Sequence, residues 1–171
     1  MKLIATRCRR ALAVPVVSVT ALLLSIPQLA LAESGTYEYI GSFTPNYITF
    51  EHGDQTIIGG PIEGARTISA SSGGPFTVGE SQTIQCLVFV KKTARGIDNE
   101  SPCTLTDSSQ DKLFTVARRR AGDMDTGGQG RMEIQGGTGK YAGITGSCTY
   151  RTTYLPGNWA TTMAKCEWRK P

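Results

Sequence analysis

Cys148 and Cys166 stand nine residues on either side of Gly157, and Gly157 lies within Leu155-Pro156-Gly157-Asn158, a run that reverses the chain. If the flanks pair as an antiparallel hairpin, the two cysteines face each other. Opposed residues in such a ladder sit about 4.5 to 5.5 Å apart at Cα, within the span of a disulfide. The same register sets Gly146 opposite Trp168, a large aromatic over bare backbone. Cys86 and Cys103 are centred on Ala94-Arg95 inside the polar run Lys91 to Pro102, which brings Ile84 opposite Leu105. Four cysteines allow three pairings, and counting alone does not choose among them. Symmetry about the turns predicts Cys86–Cys103 and Cys148–Cys166. No close CxxC-type pair is present, so no metal site is expected.

Disulfides need an oxidising compartment, and the start of the chain supplies the route to one. Met1 to Arg10 is basic. Ala11 to Leu29 is apolar apart from Ser18, Thr20, Ser25 and Gln28, with breaks at Pro15 and Pro27, and Ala30-Leu31-Ala32 ends it on small residues. This pattern predicts a signal peptide over 1–32, cleaved after Ala32, and one exported domain over 33–171, periplasmic or secreted. No basic stop-transfer cluster follows the apolar run, so no stable membrane anchor is expected. Cys8 precedes that run, cannot become a lipid-bearing first residue, and leaves with the leader.

Charge needs the same correction. The chain carries 18 Lys and Arg against 14 Asp and Glu, but Lys2, Arg7, Arg9 and Arg10 lie in the leader, which has no acid. Removing those four leaves fourteen of each sign. The neutral body argues against nucleic acid as a partner.

All 20 glycines follow Ala32, separating short runs of alternating apolar residues. No dozen-residue window shows helical spacing, so the sequence predicts an all-β fold with little or no helix. Candidate strands are Tyr37 to Ser42, Tyr47 to Ile58, Ile62 to Ala70, Gln82 to Lys92, Cys103 to Asp107, Lys112 to Arg120, Gly130 to Gln135, Ile144 to Tyr154 and Trp159 to Arg169. In the last hairpin, Ile144, Cys148, Tyr150, Tyr154, Ala160, Ala164, Cys166 and Trp168 share the better inward face, opposite Arg151 and Lys165. That many strands in a chain this size favour a closed barrel or a sandwich.

The segment Ile134-Gln135-Gly136-Gly137-Thr138-Gly139-Lys140-Tyr141-Ala142-Gly143-Ile144-Thr145-Gly146 resembles the motif shared by allene oxide cyclases and dirigent proteins. In those families a strand ends in a GG[ST]G turn, an aromatic follows, and a glycine-bearing strand leaves. It is also similar to small exported bacterial proteins of unknown function in which a Cys-x-x-x-Asp-x-x-x-Asp-Lys segment precedes the motif. Here Cys103-Thr104-Leu105-Thr106-Asp107 and Asp111-Lys112 occupy that place. The resemblance covers about residues 84 to 150. It implies an eight-stranded antiparallel, calycin-like barrel, with Gly136, Gly137, Gly139, Gly143 and Gly146 as structural turn residues, and related barrels often form trimers. The acidic and amide residues with which plant relatives handle substrates have no counterpart that can be placed here, so no catalytic residue is carried over.

Other motifs read as structure. A phosphate loop over Gly136 to Lys140 would need Gly at Ile134 and Ser or Thr at Tyr141. A calcium loop from Asp123 through Asp125 would need Glu where Ile134 stands. His52, the sole histidine, sits among Glu51, Gly53 and Asp54 in an expected turn, and no GxSxG elbow accompanies it. Arg118-Arg119-Arg120 is the only dense basic run, and in a strand only alternate members share a face.

The functional expectation is an exported barrel without cofactor that binds a small apolar or phenolic ligand, with Tyr150, Tyr154, Trp168 and Ile144 as lining candidates. The alternatives are a cyclase or isomerase resembling the motif's families, and a surface or matrix interaction module with a filled barrel. Cavity volume separates the first two from the third, because a pocket below about 300 Å³ would argue against ligand function.

Overall fold

The computed structural model describes residues 33–120 and 127–171. Nine strands run in chain order: β1 (Glu33–Pro45), β2 (Ile48–His52), β3 (Gln55–Ser71), β4 (Ser81–Thr93), β5 (Gly96–Asp107), β6 (Lys112–Arg119), β7 (Gly128–Gly137), β8 (Thr145–Leu155) and β9 (Trp159–Lys170). The sole helical element among the described residues is one 3-10 turn, Gly139–Tyr141. Every strand pairing is antiparallel, in the order β1-β9-β8-β7-β6-β5-β4-β3, and β3 returns to β1. Eight strands therefore close a barrel, as the resemblance implies. β2 stands outside this closure and pairs only with the first residues of β3.

Alternation builds the wall. On β4, Gln82, Ile84, Cys86, Val88 and Val90 point inward and are buried, while Leu87 and Phe89 point outward. Along β9 the inward residues begin small, with Ala160, Thr162 and Ala164. That spacing admits the large side chains beside them: Ala164 lies opposite Tyr39 on β1 and Tyr150 on β8, and Ala160 lies opposite Phe43 and Tyr154. Cys86 opposes Cys103 and Cys148 opposes Cys166, with Cα separations of 4.1 and 4.0 Å and both disulfides formed. Gly146 faces Trp168 in the same ladder.

One end of the barrel is plugged by aromatics. The connection between β3 and β4 inserts Phe76, which is 1 % exposed and stacks 3.7 Å from the Tyr37 ring, beside Tyr141 and Trp168. A Cβ on Gly74 would collide with the Trp168 indole, so this loop packs down only because that position is glycine.

Two boundaries depart from the sequence reading. Tyr47 to Ile58 is not one strand: it breaks at Gly53-Asp54 into β2 and the start of β3, and β3 then runs through Gly59-Gly60-Pro61 without stopping. Pro61 is tolerated because its missing N–H falls in the gap between β1 and β2, where the Asn46 N–H donates to the Pro61 carbonyl at 2.9 Å. β5 starts at Gly96 rather than Cys103, so much of the polar run Lys91 to Pro102 is strand. Its inward positions Asn99 and Ser101 are polar, which hides the alternation that marks the other strands.

Candidate ligand cavity

The barrel interior is layered. At the plugged end, Lys140 Nζ pairs with Glu80 and, at 3.0 Å, with Asp107, whose side chain is wholly buried. Tyr141 follows, and its hydroxyl accepts from Gln82 Nε2 at 2.6 Å; Gln82 Oε1 in turn accepts from Arg66 Nε at 2.6 Å. Arg66 is 1 % exposed and lays its guanidinium 4.3 Å from the Tyr39 ring centroid. A hydrogen-bonded chain therefore leads from a surface ion cluster to the middle of the barrel.

Beyond Tyr39 lies a cavity of about 90 Å³. Phe43, Ile62, Ile84, Val88, Leu105 and Met132 supply its apolar wall, and the Cys86–Cys103 disulfide is part of it. Tyr39, Tyr47, Tyr150 and Tyr154 bring phenol rings to the same space, with Arg119 among them. Ser101 donates to Asn99 Oδ1 at 3.0 Å, and the Thr152 and Thr162 hydroxyls lie 2.9 Å apart. Tyr150 reaches the Arg118 carbonyl at 3.5 Å. The Thr115 hydroxyl is buried in the wall with no hydrogen-bond partner among the described residues.

Burial sets the acidity of the phenols. It pushes Tyr39 up to about 12, with the Arg66 charge opposing, and it raises Tyr47, where Tyr154 adds to the effect. Tyr150 is raised by burial against the pull of Arg119. All three are protonated donors at neutral pH. Among the described residues, no carboxylate lines the cavity.

Of the four lining candidates, Tyr150 and Tyr154 are in the cavity wall. Ile144 and Trp168 are not: both are buried at the plugged end, Trp168 beside Phe76. The glycine turn acts as a clamp on that end. Gly139 has φ +52, and the Lys140 N–H donates to Asp111 Oδ2 at 3.0 Å. Gly136 and Gly143 also carry positive φ, whereas Gly137 and Gly146 are required by close approach, of the Lys112 carbonyl and the Glu167 carbonyl respectively. His52 is exposed at the end of β2, with its ring near Phe50. The arginine run splits across the wall: Arg118 pairs outside with Glu100 and Glu133, Arg119 turns inward, and Arg120 meets Asp98. Asp123 and Asp125 lie outside the described residues.

Sequence reasoning missed Tyr39, Tyr47, Asn99, Ser101, Thr115 and Arg119 as lining residues. For Arg119 a signal existed, because it continues the two-residue period of Leu113, Thr115 and Ala117 on β6.

No protein-family model matches the chain, and no curated protein matches it. Among solved structures, that of the pterocarpan synthase dirigent protein GePTS1 is similar over 89 % of this chain and 99 % of its own, with a TM-score of 0.50 and 12 % sequence identity. At that identity the likeness speaks for architecture alone: the chain shares the closed antiparallel barrel fold of that dirigent protein.

Proposed function

We propose that this protein is an exported, disulfide-stapled barrel that holds a small, ring-sized or shorter guest in its tyrosine-lined cavity, without catalysis. Residues 1–32 act as a leader removed on export, and 33–171 form the single working domain, a reading supported by the basic start, apolar run and small-residue exit of the first 32 residues. The observation that carries the reading is the combination of an apolar wall with phenol donors and an unpartnered Thr115 hydroxyl around one void.

Size limits the guest. A void of 90 Å³ is well below the roughly 300 Å³ expected of a ligand pocket, which weighs toward the filled-barrel module and leaves room only for a very small guest. At about 10 to 15 Å³ per water it has room for roughly six waters, or a guest of about as many heavy atoms. Phenol is a suitable probe, as apolar on its ring as the wall and able to meet Thr115 or a tyrosine with its hydroxyl. Native mass spectrometry and tyrosine-fluorescence titration of the oxidised protein are expected to show one phenol bound, more weakly in Thr115→Val. Failure of phenol and of source extracts to add mass leaves the filled-barrel interaction module.

The cyclase or isomerase reading is supported by the same phenols, which remain protonated and can donate to charge developing on a guest. The 134–146 motif, shared by resemblance with families that include such enzymes, adds to it. Against it stands a cavity wall in which no carboxylate base is found among the described residues. Turnover of an added phenolic or epoxide substrate, lost in Tyr150→Phe, would move the assignment to that class.

A further inference from the structure

A closed barrel has no free strand edges, and among the described residues this one keeps a single exception. β2 pairs with β3 on one side only, and all five of its residues are exposed. Ile48 is 76 % and Phe50 63 % exposed. Edge strands are usually blunted by shortness, charge, proline or a bulge, and Ile48-Thr49-Phe50-Glu51-His52 has only its five-residue length and Glu51, with no proline, lysine or bulge.

The hairpin geometry fixes which backbone groups are open. The turn Gly53-Asp54 has two residues, so its flanking pair His52 and Gln55 exchanges hydrogen bonds, and the alternation makes Phe50–Ile57 and Ile48–Gly59 the next bonded pairs. Thr49 and Glu51 therefore direct their N–H and C=O groups away from β3. The outward face of this edge is apolar: Phe50 lies beside Ile57, and Ile48 lies across Gly59 from Phe89.

We propose that β2 pairs antiparallel with β2 of a second copy, about a two-fold axis through Phe50, joining two barrels into a dimer. This register satisfies the free groups of both strands at once, because Thr49 faces Glu51 of the second copy and exchanges both hydrogen bonds with it. Glu51 meets a threonine, so no like charges are opposed. Phe50 falls opposite its own counterpart at a non-bonded pair, where side chains approach most closely. Ile48 falls opposite His52. The apolar strip of Ile48, Phe50 and Phe89 becomes continuous across the axis. A contact this short makes a concentration-dependent dimer.

Sedimentation velocity of the oxidised protein across its soluble concentration range is expected to show a monomer that moves to twice its mass. In the dimer the Thr49 and Glu51 amides exchange slowly with solvent deuterium. Thr49→Pro removes an N–H that β3 does not use; it is expected to leave the melting temperature unchanged, abolish the dimer and cancel Glu51 protection. Phe50→Lys alters only an exposed side chain and places two charges together at the axis, so it gives the same readout should the proline variant fail to fold. A wild-type protein that stays monomeric, that sediments as a trimer, or that dimerises undiminished in either variant overturns the proposal.

Discussion

The Lys140 ammonium lies 3.0 Å from the buried Asp107 carboxylate, and this contact ties the glycine turn to the end of β5. For Asp107, burial alone would raise the carboxyl, but the bonds from Lys140 and from the Asp111 and Ser109 N–H groups outweigh it and hold it below the ordinary range. A depressed folded value means stability that is present above the unfolded carboxyl range and lost as pH falls through the folded one. Melting curves of the wild type are therefore expected to fall away below about pH 4, and Asp107→Asn to flatten that limb while lowering stability at pH 7. An unchanged acid limb in the variant would contradict this.

The cavity phenols give an alkaline counterpart. With Tyr39 raised to about 12 and Tyr47 and Tyr150 also raised, the folded state holds protons that the unfolded chain releases near pH 10. Their contribution is present below that pH and declines as pH climbs through the folded values. Ultraviolet difference titration is expected to show exposed tyrosines ionising first and a second group appearing only with unfolding.

Arg66 is buried, where Gln82 Oε1 accepts from its Nε and its guanidinium stacks on tyrosine. Replacing both partners of a buried polar pair by apolar residues of similar volume is often neutral or stabilising, whereas removing one leaves the other unsatisfied. Arg66→Met combined with Gln82→Leu is therefore expected to keep or raise the denaturation midpoint. Gln82→Ala strips the guanidinium of its Nε acceptor and is expected to cost about 1.5 to 3 kcal/mol. Urea titrations of the two variants side by side decide this.

Each disulfide closes a short hairpin, with sequence separations of 17 and 18 residues. A loop of this size corresponds to about 3 kcal/mol per bridge. Replacing either cysteine pair with alanine is expected to lower stability by roughly that amount in denaturant melts. Non-reduced digests should yield only the Cys86–Cys103 and Cys148–Cys166 peptides.

Gly139→Ala tests the clamp. The new Cβ would strike the Asp111 carboxylate at a backbone φ of +52, and the strain is expected to cost about 1 to 3 kcal/mol. Thermal melts measure it directly, and Gly53→Ala, which meets nothing within 4 Å at a similar φ, separates strain from collision.

The β8–β9 hairpin was fully legible because Pro156-Gly157 and the period of two act within a few residues of each other. The β2–β3 break was only half legible: Gly53-Asp54 reads as a turn beside His52, yet Tyr47 to Ile58 reads as one strand across it, because the glycines and proline at 59–61 are stronger turn signals and only the gap between β1 and β2 makes them tolerable inside a strand. Alternation correctly turned Ile144, Tyr150, Tyr154 and Trp168 inward. It is silent about height along the barrel axis, which strand tilt decides, so it could not separate the two residues beside the void from the two beneath the plug.

β1 is joined to β9 by a ladder from Glu33–Lys170 to Phe43–Ala160 and to β3 on its other side. The first strand is thus completed by the last, and no shortened chain can shut the cylinder. Hairpins such as β8–β9 are able to zip locally, but the β1–β9 seam joins residues far apart in sequence, which makes its closure the slowest and most entropically demanding step of folding.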